Sequence, residues 1–294
     1  MHGSSLKISK KMLVAFLLPS IAIFAFIVVF PLLLSLRYSF FDWNGGKTMK
    51  FVGFDNYVEL IKDGDFWFSF KNNLTIIVLC VLGQIGIALL LCGLFVSKML
   101  KLKEFHRTVI FIPVVLSAVV VGFLWSMIYN KDMGLVNTVL RALNLDGLIL
   151  NWLDDPKYVI FSVSLPLIWQ YIGEYVIIFM AAIQGIDKSV LEVSELDGAV
   201  GFKKLKYVII PQISGTIKVA LMLCISGNMK VFDHIFIMTG GGPGKSSMVM
   251  AQYAYKNSFQ MFKLGYGSTI SMGILVLSLT LIMLSRKLGG GEKT

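Results

Sequence analysis

Charged residues are scarce in this chain. They make up 15% of its 294 residues, whereas hydrophobic residues make up 56%. An ordinary soluble domain holds about 25% charged residues. A soluble core does not require this much apolar surface, so the composition excludes an ordinary soluble domain and indicates a membrane protein with several helical spans.

Cysteine and histidine are also scarce, with three of each. The cysteines lie inside apolar stretches without a C-x-x-C pattern or a nearby histidine, so we expect small buried side chains and not metal ligands. The apolar stretches contain no Ser/His/Asp or paired-carboxylate cluster either. We therefore expect no cofactor on this chain and no membrane-enzyme activity. The cysteines are Cys80, Cys92 and Cys224.

The basic excess, a net charge of +10 at pH 7, does not lie on one periodic face. Surfaces that bind nucleic acid gather their lysines and arginines into a patch or a stripe. Here most of the excess lies beside apolar runs, where basic residues set the orientation of membrane spans. We therefore expect contact with membrane lipid and no contact with nucleic acid.

Six apolar segments can be drawn along the chain. Each has about the 20 residues that are needed to cross roughly 30 Å of hydrocarbon. No internal repeat and no separable soluble domain is visible, so we predict an all-α polytopic protein in which residues 1–294 form one transmembrane domain. The predicted spans are 12–36, 73–97, 107–129, 158–184, 213–238 and 265–285.

The distribution of lysine and arginine predicts the orientation of these spans. Six spans put both termini on one side, together with the loop 185–212. That side has the higher density of basic residues, so both termini and this loop are predicted to be cytoplasmic. The first apolar run follows Lys7, Lys10 and Lys11. It is longer than the roughly 7–15 residues of a signal-peptide apolar region, so we predict a retained span.

The loop 185–212 is charged and has a helical pattern. Asp187 or Ser189 can cap a first, partly amphipathic helix, and Gly198 can end it. A second helix over 202–209 is predicted to stop at Pro211. On local physics alone, two interpretations stay open. The loop is either a solvated connection with interfacial helices or a compact knob that transmits the movement of a partner.

From Glu192 to Pro211 the chain reads E-V-S-x3-G-x9-V-x-I-P. This pattern resembles the cytoplasmic "EAA" loop of bacterial ABC importer permeases, which docks on the ATP-hydrolysing subunit. Val193 and Ser194 depart from the two alanines that are usual in that family. The residues that the resemblance implies for coupling to the ATPase are Glu192, Leu196, Asp197, Gly198, Ala199 and Pro211.

A second stretch resembles a narrower group of that family. The residues at 233–235 and the glycine run at 239–243 are similar to the stretch after the fifth span of maltose- and glycerol-phosphate-type sugar permeases. The resemblance implies a flexible external loop that receives a soluble binding protein. The run 240–246 is not a Walker A nucleotide motif, because Thr239 stands where its first glycine is required. The implied contact residues are Gly241, Gly242 and Pro243.

Polar residues within the fourth and fifth spans are candidates for a substrate site, since such groups usually face a bundle interior or a water-filled cavity. Gln170, Tyr171 and Glu174 share one helical face. The maltose-type resemblance implies that Asn228, Tyr171 and Glu174 fall at sugar-contacting positions. It also puts Ser117 one position away from a third-span contact. The alternative for Glu174 is a hydrogen-bonded contact between helices.

Lys230 and Asp233 lie three positions apart in the same predicted span, which suits an ion pair. The charged groups also support a second class of function. In an ion-gradient-driven secondary sugar transporter, Glu174 or Asp233 would serve as the proton site. Such a carrier needs no ATPase, so this alternative assigns no function to the predicted 185–212 knob.

The resemblance as a whole implies a permease subunit of a binding-protein-dependent ABC importer in the bacterial cell membrane. Such a subunit moves a sugar or oligosaccharide inward by alternating access. Its implied partners are a second permease subunit, two ABC ATPase subunits, an extracytoplasmic solute-binding protein and the carbohydrate substrate. ATP hydrolysis would reside on the partner subunits, so this chain itself is not expected to be an enzyme.

Overall fold

The computed structural model describes residues 10–96 and 101–288, and nearly all of its regular structure is helical. The helices of the first half are α1 (Met12–Tyr38), α2 (Asp55–Lys62), α3 (Gly64–Val96), α4 (Lys103–Val115), α5 (Ala118–Ile128) and α6 (Leu135–Ala142). Those of the second half are α7 (Val159–Gln184), α8 (Lys188–Leu196), α9 (Phe202–Gln212), α10 (Ser214–Met229), α11 (Asp233–Met238), α12 (Met250–Tyr255) and α13 (Leu264–Lys287). A short antiparallel hairpin pairs β1 (Phe41–Asp42) with β2 (Lys50–Phe51).

Four of these helices, α1, α3, α7 and α13, are long and apolar enough to cross a membrane. The number rises to six if each of two bent pairs, α4 with α5 and α9 with α10, is one span. The expectation of an all-α polytopic membrane protein is confirmed. Helix α3 has 33 residues and begins at Gly64, well before the predicted start at residue 73.

The predicted third span, 107–129, consists of two helices. The axes of α4 and α5 differ in direction by 101°. Leu116 and Ser117 are extended between them, each with a ψ angle of 145°. The Ser117 hydroxyl accepts a hydrogen bond from the backbone N–H of Val120 at 3.3 Å, so the serine caps α5.

The predicted fifth span, 213–238, is also interrupted. Helix α9 meets α10 at an angle of 80° near Ile213, and a second break separates α10 from α11. The prediction that the helix after residue 202 stops at Pro211 is wrong, since α9 continues to Gln212. A π-helical turn at Leu205–Ile209 precedes the proline, which then lies in the first turn of a new helical segment. Proline is tolerated there because that N–H has no intrahelical partner.

The chain divides into two compact units. The first unit comprises the chain up to Lys62 together with Ala254–Gly273. At its centre lies Ser39, whose carbonyl oxygen accepts hydrogen bonds from Asn56 Nδ2 at 2.9 Å and Thr269 Oγ1 at 3.1 Å. By contrast, no residue in the apolar window of α1 is buried within the chain. This exposure suits a helix whose surroundings are apolar.

The second unit comprises Asp63–Tyr253 and the chain from Ile274 onward, and it contains the main hydrophobic core. The core draws on α3, α7 and α10, for example on Ile76, Phe179 and Cys224. All three cysteines are buried and free, as expected. Helix α4 approaches α7 so closely that a Cβ at Gly173 would lie 2.4 Å from the carbonyl oxygen of Ile110, which explains the glycine.

Candidate functional site

A cavity of about 370 Å³ lies beside α7, at the point where the chain passes from α10 to α11. Two carboxylates, one ammonium group and several hydrogen-bonding or aromatic side chains line it. Its volume falls within the range of small-molecule pockets, roughly 300–1,000 Å³. The lining residues with polar side chains include Tyr171, Glu174, Asn228, Lys230, Asp233 and His234.

The break between α10 and α11 shapes one wall of this cavity. Helix α10 ends at Met229, and α11 begins at Asp233. The interruption turns both Lys230 and Asp233 toward the cavity as exposed side chains. Within the described ranges there is no ion pair between these two residues, so the pairing that their spacing suits is not formed. An i, i+3 pair requires continuous helix, and the helix is broken between them.

Gln170 supports the cavity from behind instead of lining it. Its side chain is buried, and Nε2 donates to the carbonyl oxygen of Leu116 at 2.8 Å. Its Oε1 lies 2.6 Å from Nε2 of His234, and since a carbonyl oxygen only accepts, the histidine donates. Gln170 therefore joins the break between α4 and α5 to the start of α11.

The five predicted substrate-site residues thus fall into two groups. Tyr171, Glu174 and Asn228 line the cavity, whereas Ser117 lies at the break between α4 and α5, and Gln170 on α7 donates a hydrogen bond to that break. The neighbour of Ser117, Ala118, is the lining residue. Sequence reasoning missed His234, because its partner Gln170 is 64 positions away and no local pattern connects them.

The 185–212 segment contains the residues implied for coupling. The side chain of Asp187 caps α8, as predicted, by accepting a hydrogen bond from the N–H of Ser189 at 2.9 Å. This bond keeps the pKa of the Asp187 carboxyl below its usual value. After α8, Gly198 has a φ of +78°, a conformation that glycine adopts without steric cost. The predicted helix, glycine turn and second helix are therefore present.

The surface of this segment combines charged side chains with large apolar ones. Leu196 is 87% exposed at the end of α8, and a groove of about 460 Å³ runs between α8 and α9. Of the residues implied for coupling, only Ala199 is partly buried, and the other five are exposed. The exposed large apolar side chains here include Val193, Leu196, Val200, Phe202 and Tyr207.

One ion pair holds the two helices of the segment together. Lys204 Nζ on α9 lies 2.9 Å from Glu195 Oε1 on α8, and the lysine side chain is only 9% exposed. Ser194, which replaces a family alanine, is buried and donates its hydroxyl to the carbonyl oxygen of Leu191 at 2.8 Å. The departure from the family pattern is accommodated because the hydroxyl finds a partner within its own helix.

The glycine-rich segment 239–249 is folded, which contradicts the expectation of a flexible loop. The Thr239 and Ser247 hydroxyl oxygens lie 2.7 Å apart, and Ser247 also donates to the carbonyl oxygen of Gly242 at 2.7 Å. Residues Ser247 to Val249 are buried. The segment is thus part of the packed chain.

Its implied contact residues are unequally accessible. Gly241 is buried, while Gly242 and Pro243 are partly buried. A Cβ at Gly241 would come within 2.9 Å of the Gln252 side chain. Gly244 and Lys245 form the exposed tip, and Lys245 Nζ lies 2.5 Å from Asp65 Oδ1. A partner that approached this segment would therefore meet residues 244 and 245 first.

The chain matches a protein-family model over residues 90–285, and the family is described as "Binding-protein-dependent transport system inner membrane component". A relative from Bacillus subtilis, the probable ABC transporter permease protein YurN, is 34% identical over 274 residues. That alignment covers 92% of this chain and 94% of the relative.

Two further comparisons extend this result. The lactose transport system permease protein LacF from Rhizobium radiobacter is 29% identical, with 89% of this chain and 88% of the relative covered. A chain of a bacterial ABC transporter involved in the import of the acidic polysaccharide alginate superposes with a TM-score of 0.83 at 23% identity. The superposition covers 97% of this chain and 96% of the other. At that level of identity, the likeness establishes a common fold.

Proposed function

This chain belongs to the family of binding-protein-dependent transport system inner membrane components, and from that premise we propose that it is the sugar-carrying permease subunit of an ABC importer. The observation that carries the proposal is the cavity beside α7, which combines Tyr171, Glu174 and Asn228. A sugar offers hydroxyl groups for hydrogen bonds and flat CH faces for aromatic rings. The description of one relative as a lactose permease supports this substrate class.

The proposed mechanism is alternating access driven by partner subunits. Two ABC ATPase subunits close on ATP, and one of them moves the exposed face of α8. The movement passes to α9 through the Glu195–Lys204 pair and then across the bend at Ile213 into α10, which ends at the cavity. Coupling requires that the ATPase contacts this surface differently in the two states.

The remaining parts of the proposal concern partners and orientation. We expect a second, non-identical permease subunit and an extracytoplasmic solute-binding protein that delivers the sugar. Both termini and the 185–212 segment lie in the cytoplasm in this arrangement, and the 239–249 segment lies outside. The chain carries no cofactor of its own. The ion-gradient-driven carrier is not retained, because members of the chain's family work with a binding protein.

Co-purification tests this proposal. The tagged chain is isolated from native membranes in mild detergent, and the accompanying proteins are identified by mass spectrometry. We expect an ABC ATPase, a second permease and a binding protein whose bound ligand is a carbohydrate. The Gly198→Pro variant should lose the ATPase, because proline cannot adopt the positive φ of this turn.

Two outcomes would contradict the proposal. A chain that is isolated alone or as a homodimer would rule out the importer assembly. A binding protein that carries a ligand other than a carbohydrate would rule out the substrate class and leave the assembly intact. A Gly147→Pro variant is the matched control, since that glycine lies in the segment after α6 and we place it on the opposite side of the membrane.

A further inference from the structure

Two adjacent asparagines on α3, Asn72 and Asn73, connect the cavity wall to the glycine-rich segment. Asn73 is fully buried and Asn72 nearly so. Neither residue lines the cavity, and neither belongs to the residues implied for coupling or for contact with a binding protein.

The side chain of Asn73 binds two helix ends at once. Its Nδ2 donates to the carbonyl oxygen of Asn228 at 2.8 Å, in the last turn of α10. Its Oδ1 accepts from the backbone N–H of Met250 at 2.8 Å, at the start of α12. Terminal carbonyls and N–H groups have no partner within their own helix, so each needs an external one. A single side chain supplies a partner to each, and the carbonyl oxygen of Asn228 also accepts from the backbone N–H of Val231 at 3.5 Å.

Asn72 binds the same stretch of chain at a second point. Its Nδ2 donates to the carbonyl oxygens of Ser246 at 3.0 Å and Met248 at 2.9 Å. The chain from Asn228 to Met250, which we call the 228–250 segment, is therefore closed at its base by Asn73 and held near its exposed tip by Asn72. All of these contacts are made by one face of α3.

The 228–250 segment contains two functional surfaces. Near its start, Asn228, Asp233 and His234 form part of the cavity wall. Near its end, Gly244 and Lys245 are exposed. The hydroxyl contact between Thr239 and Ser247 reinforces the stretch between these surfaces. Because α3 holds the segment at its base and near its tip, the two surfaces share one support.

We propose that Asn73 is a positioning residue for transport, because it makes the 228–250 segment move as one body and so links contact at Gly244–Lys245 to the position of Asn228 in the cavity. This inference rests on the proposed function, in which a binding protein meets the exposed tip. Asn73 acts on the substrate only through Asn228, since it does not itself reach the cavity.

Hydrogen–deuterium exchange on the purified native assembly tests the one-body behaviour. In the wild type, backbone amides of residues 231–238 and 245–250 are expected to open together with one common protection factor. Asn73→Leu keeps the number of side-chain heavy atoms but removes the side-chain hydrogen bonds, and we expect the protection of the two stretches to diverge by about tenfold. Asn72→Leu is the matched control, and it should loosen only 245–250.

Asn73→Asp provides a second variant in case the leucine variant does not fold. The carboxylate can still accept from Met250 but cannot donate to the carbonyl oxygen of Asn228. We expect protection of the Met250 amide to persist while residues 231–238 exchange faster. The proposal is overturned if residues 231–238 and 245–250 already exchange independently in the wild type. It is also overturned if their exchange remains coupled in both Asn73 variants.

The co-purified binding protein is then added to the assembly in nanodiscs, and hydrogen–deuterium exchange is measured again. The response of the cavity wall to the binding protein would not depend on Asn73 if its role were only structural. In the wild type, exchange should change at the tip and at residues 230–234. In Asn73→Leu the change should be confined to the tip. A cavity response that survives in the variant overturns the role of Asn73. If exchange at the wild-type tip does not change when the binding protein is added, the proposed function is contradicted instead. The exchange rates measured without the binding protein then still decide whether the segment behaves as one body.

Discussion

In the 185–212 segment several large apolar side chains face outward, whereas Met248 and Val249 of the 239–249 segment are buried. Leu196 of the first is 87% exposed, and Val249 of the second is completely buried. Both segments contain glycines with a positive φ. The glycines therefore do not distinguish the two segments.

The two segments differ in how far the rest of the chain covers their side chains. The 239–249 segment meets its own chain through Asn72 and through the Thr239–Ser247 contact. The face of α8 has no such cover within the described residues, apart from the Glu195–Lys204 pair at its edge. Exposed apolar patches of this kind mark interaction sites. Substitutions in the first segment should therefore affect partner binding, and those in the second should affect the fold.

The largest effect is expected for Leu196→Asp, on binding alone. A carboxylate buried without a partner at an interface costs several kcal/mol, so the amount of co-purifying ATPase should fall by at least about tenfold. Since the side chain is exposed in the isolated chain, the free energy of unfolding should change by no more than about 0.5 kcal/mol. Quantitative mass spectrometry and thermal unfolding in detergent measure the two quantities.

Leu143→Asp provides the control for this variant. Leu143 is 62% exposed just after α6, far along the chain from the 185–212 segment. The same change there should leave the ATPase yield unaltered. An equal loss of ATPase in both variants would show that an added charge, and not the surface of α8, is responsible.

An intermediate effect is expected for Ser247→Ala, on stability alone. The change leaves the carbonyl oxygen of Gly242 without its side-chain partner in a partly buried place, while the Thr239 hydroxyl keeps its bond to the carbonyl oxygen of Ile235. One unsatisfied group of this kind costs about 1–3 kcal/mol, so the melting temperature should fall while the ATPase yield per folded chain is kept. Ser214→Ala, at an exposed serine that begins α10, should change stability by less than about 0.5 kcal/mol. A wild-type melting temperature for Ser247→Ala would contradict the inward-folded segment.

This comparison also shows which features could be predicted from the sequence. The helical character, the capping of α8 by Asp187 and the turn at Gly198 depend on neighbours within a few positions, and the sequence predicted them. Tyr171 and Glu174 were proposed as site residues because polar groups are costly inside a span, and the family resemblance implied these two positions together with Asn228. Their places in the cavity wall agree with that physical reason.

The features that the sequence did not reveal depend on contacts between distant parts of the chain. The fold of the glycine-rich segment requires Asn72, which is 176 positions from Met248. The pairing of His234 with Gln170 and the breaks within the third and fifth apolar runs also depend on tertiary partners. The family resemblance implied a flexible loop at 239–243, but the glycines there allow tight turns in a packed segment.

The smallest effect is expected for Lys245→Met at the exposed tip, where the 239–249 segment most resembles the surface of α8. The ion pair with Asp65 is 53% exposed on the lysine and 41% on the aspartate, so water and salt screen it. Pairs of this kind contribute about 0–1 kcal/mol, and the loss of stability should lie in that range and shrink at high salt. Stability measured at low and at high ionic strength checks both points.

A loss of stability above about 2 kcal/mol would mean that the tip, too, belongs to the packed fold. The binding protein would then have no independent surface to contact on this segment. A small loss of stability together with weaker binding of the binding protein would instead show that Lys245 contacts the binding protein, just as Leu196 is proposed to contact the ATPase.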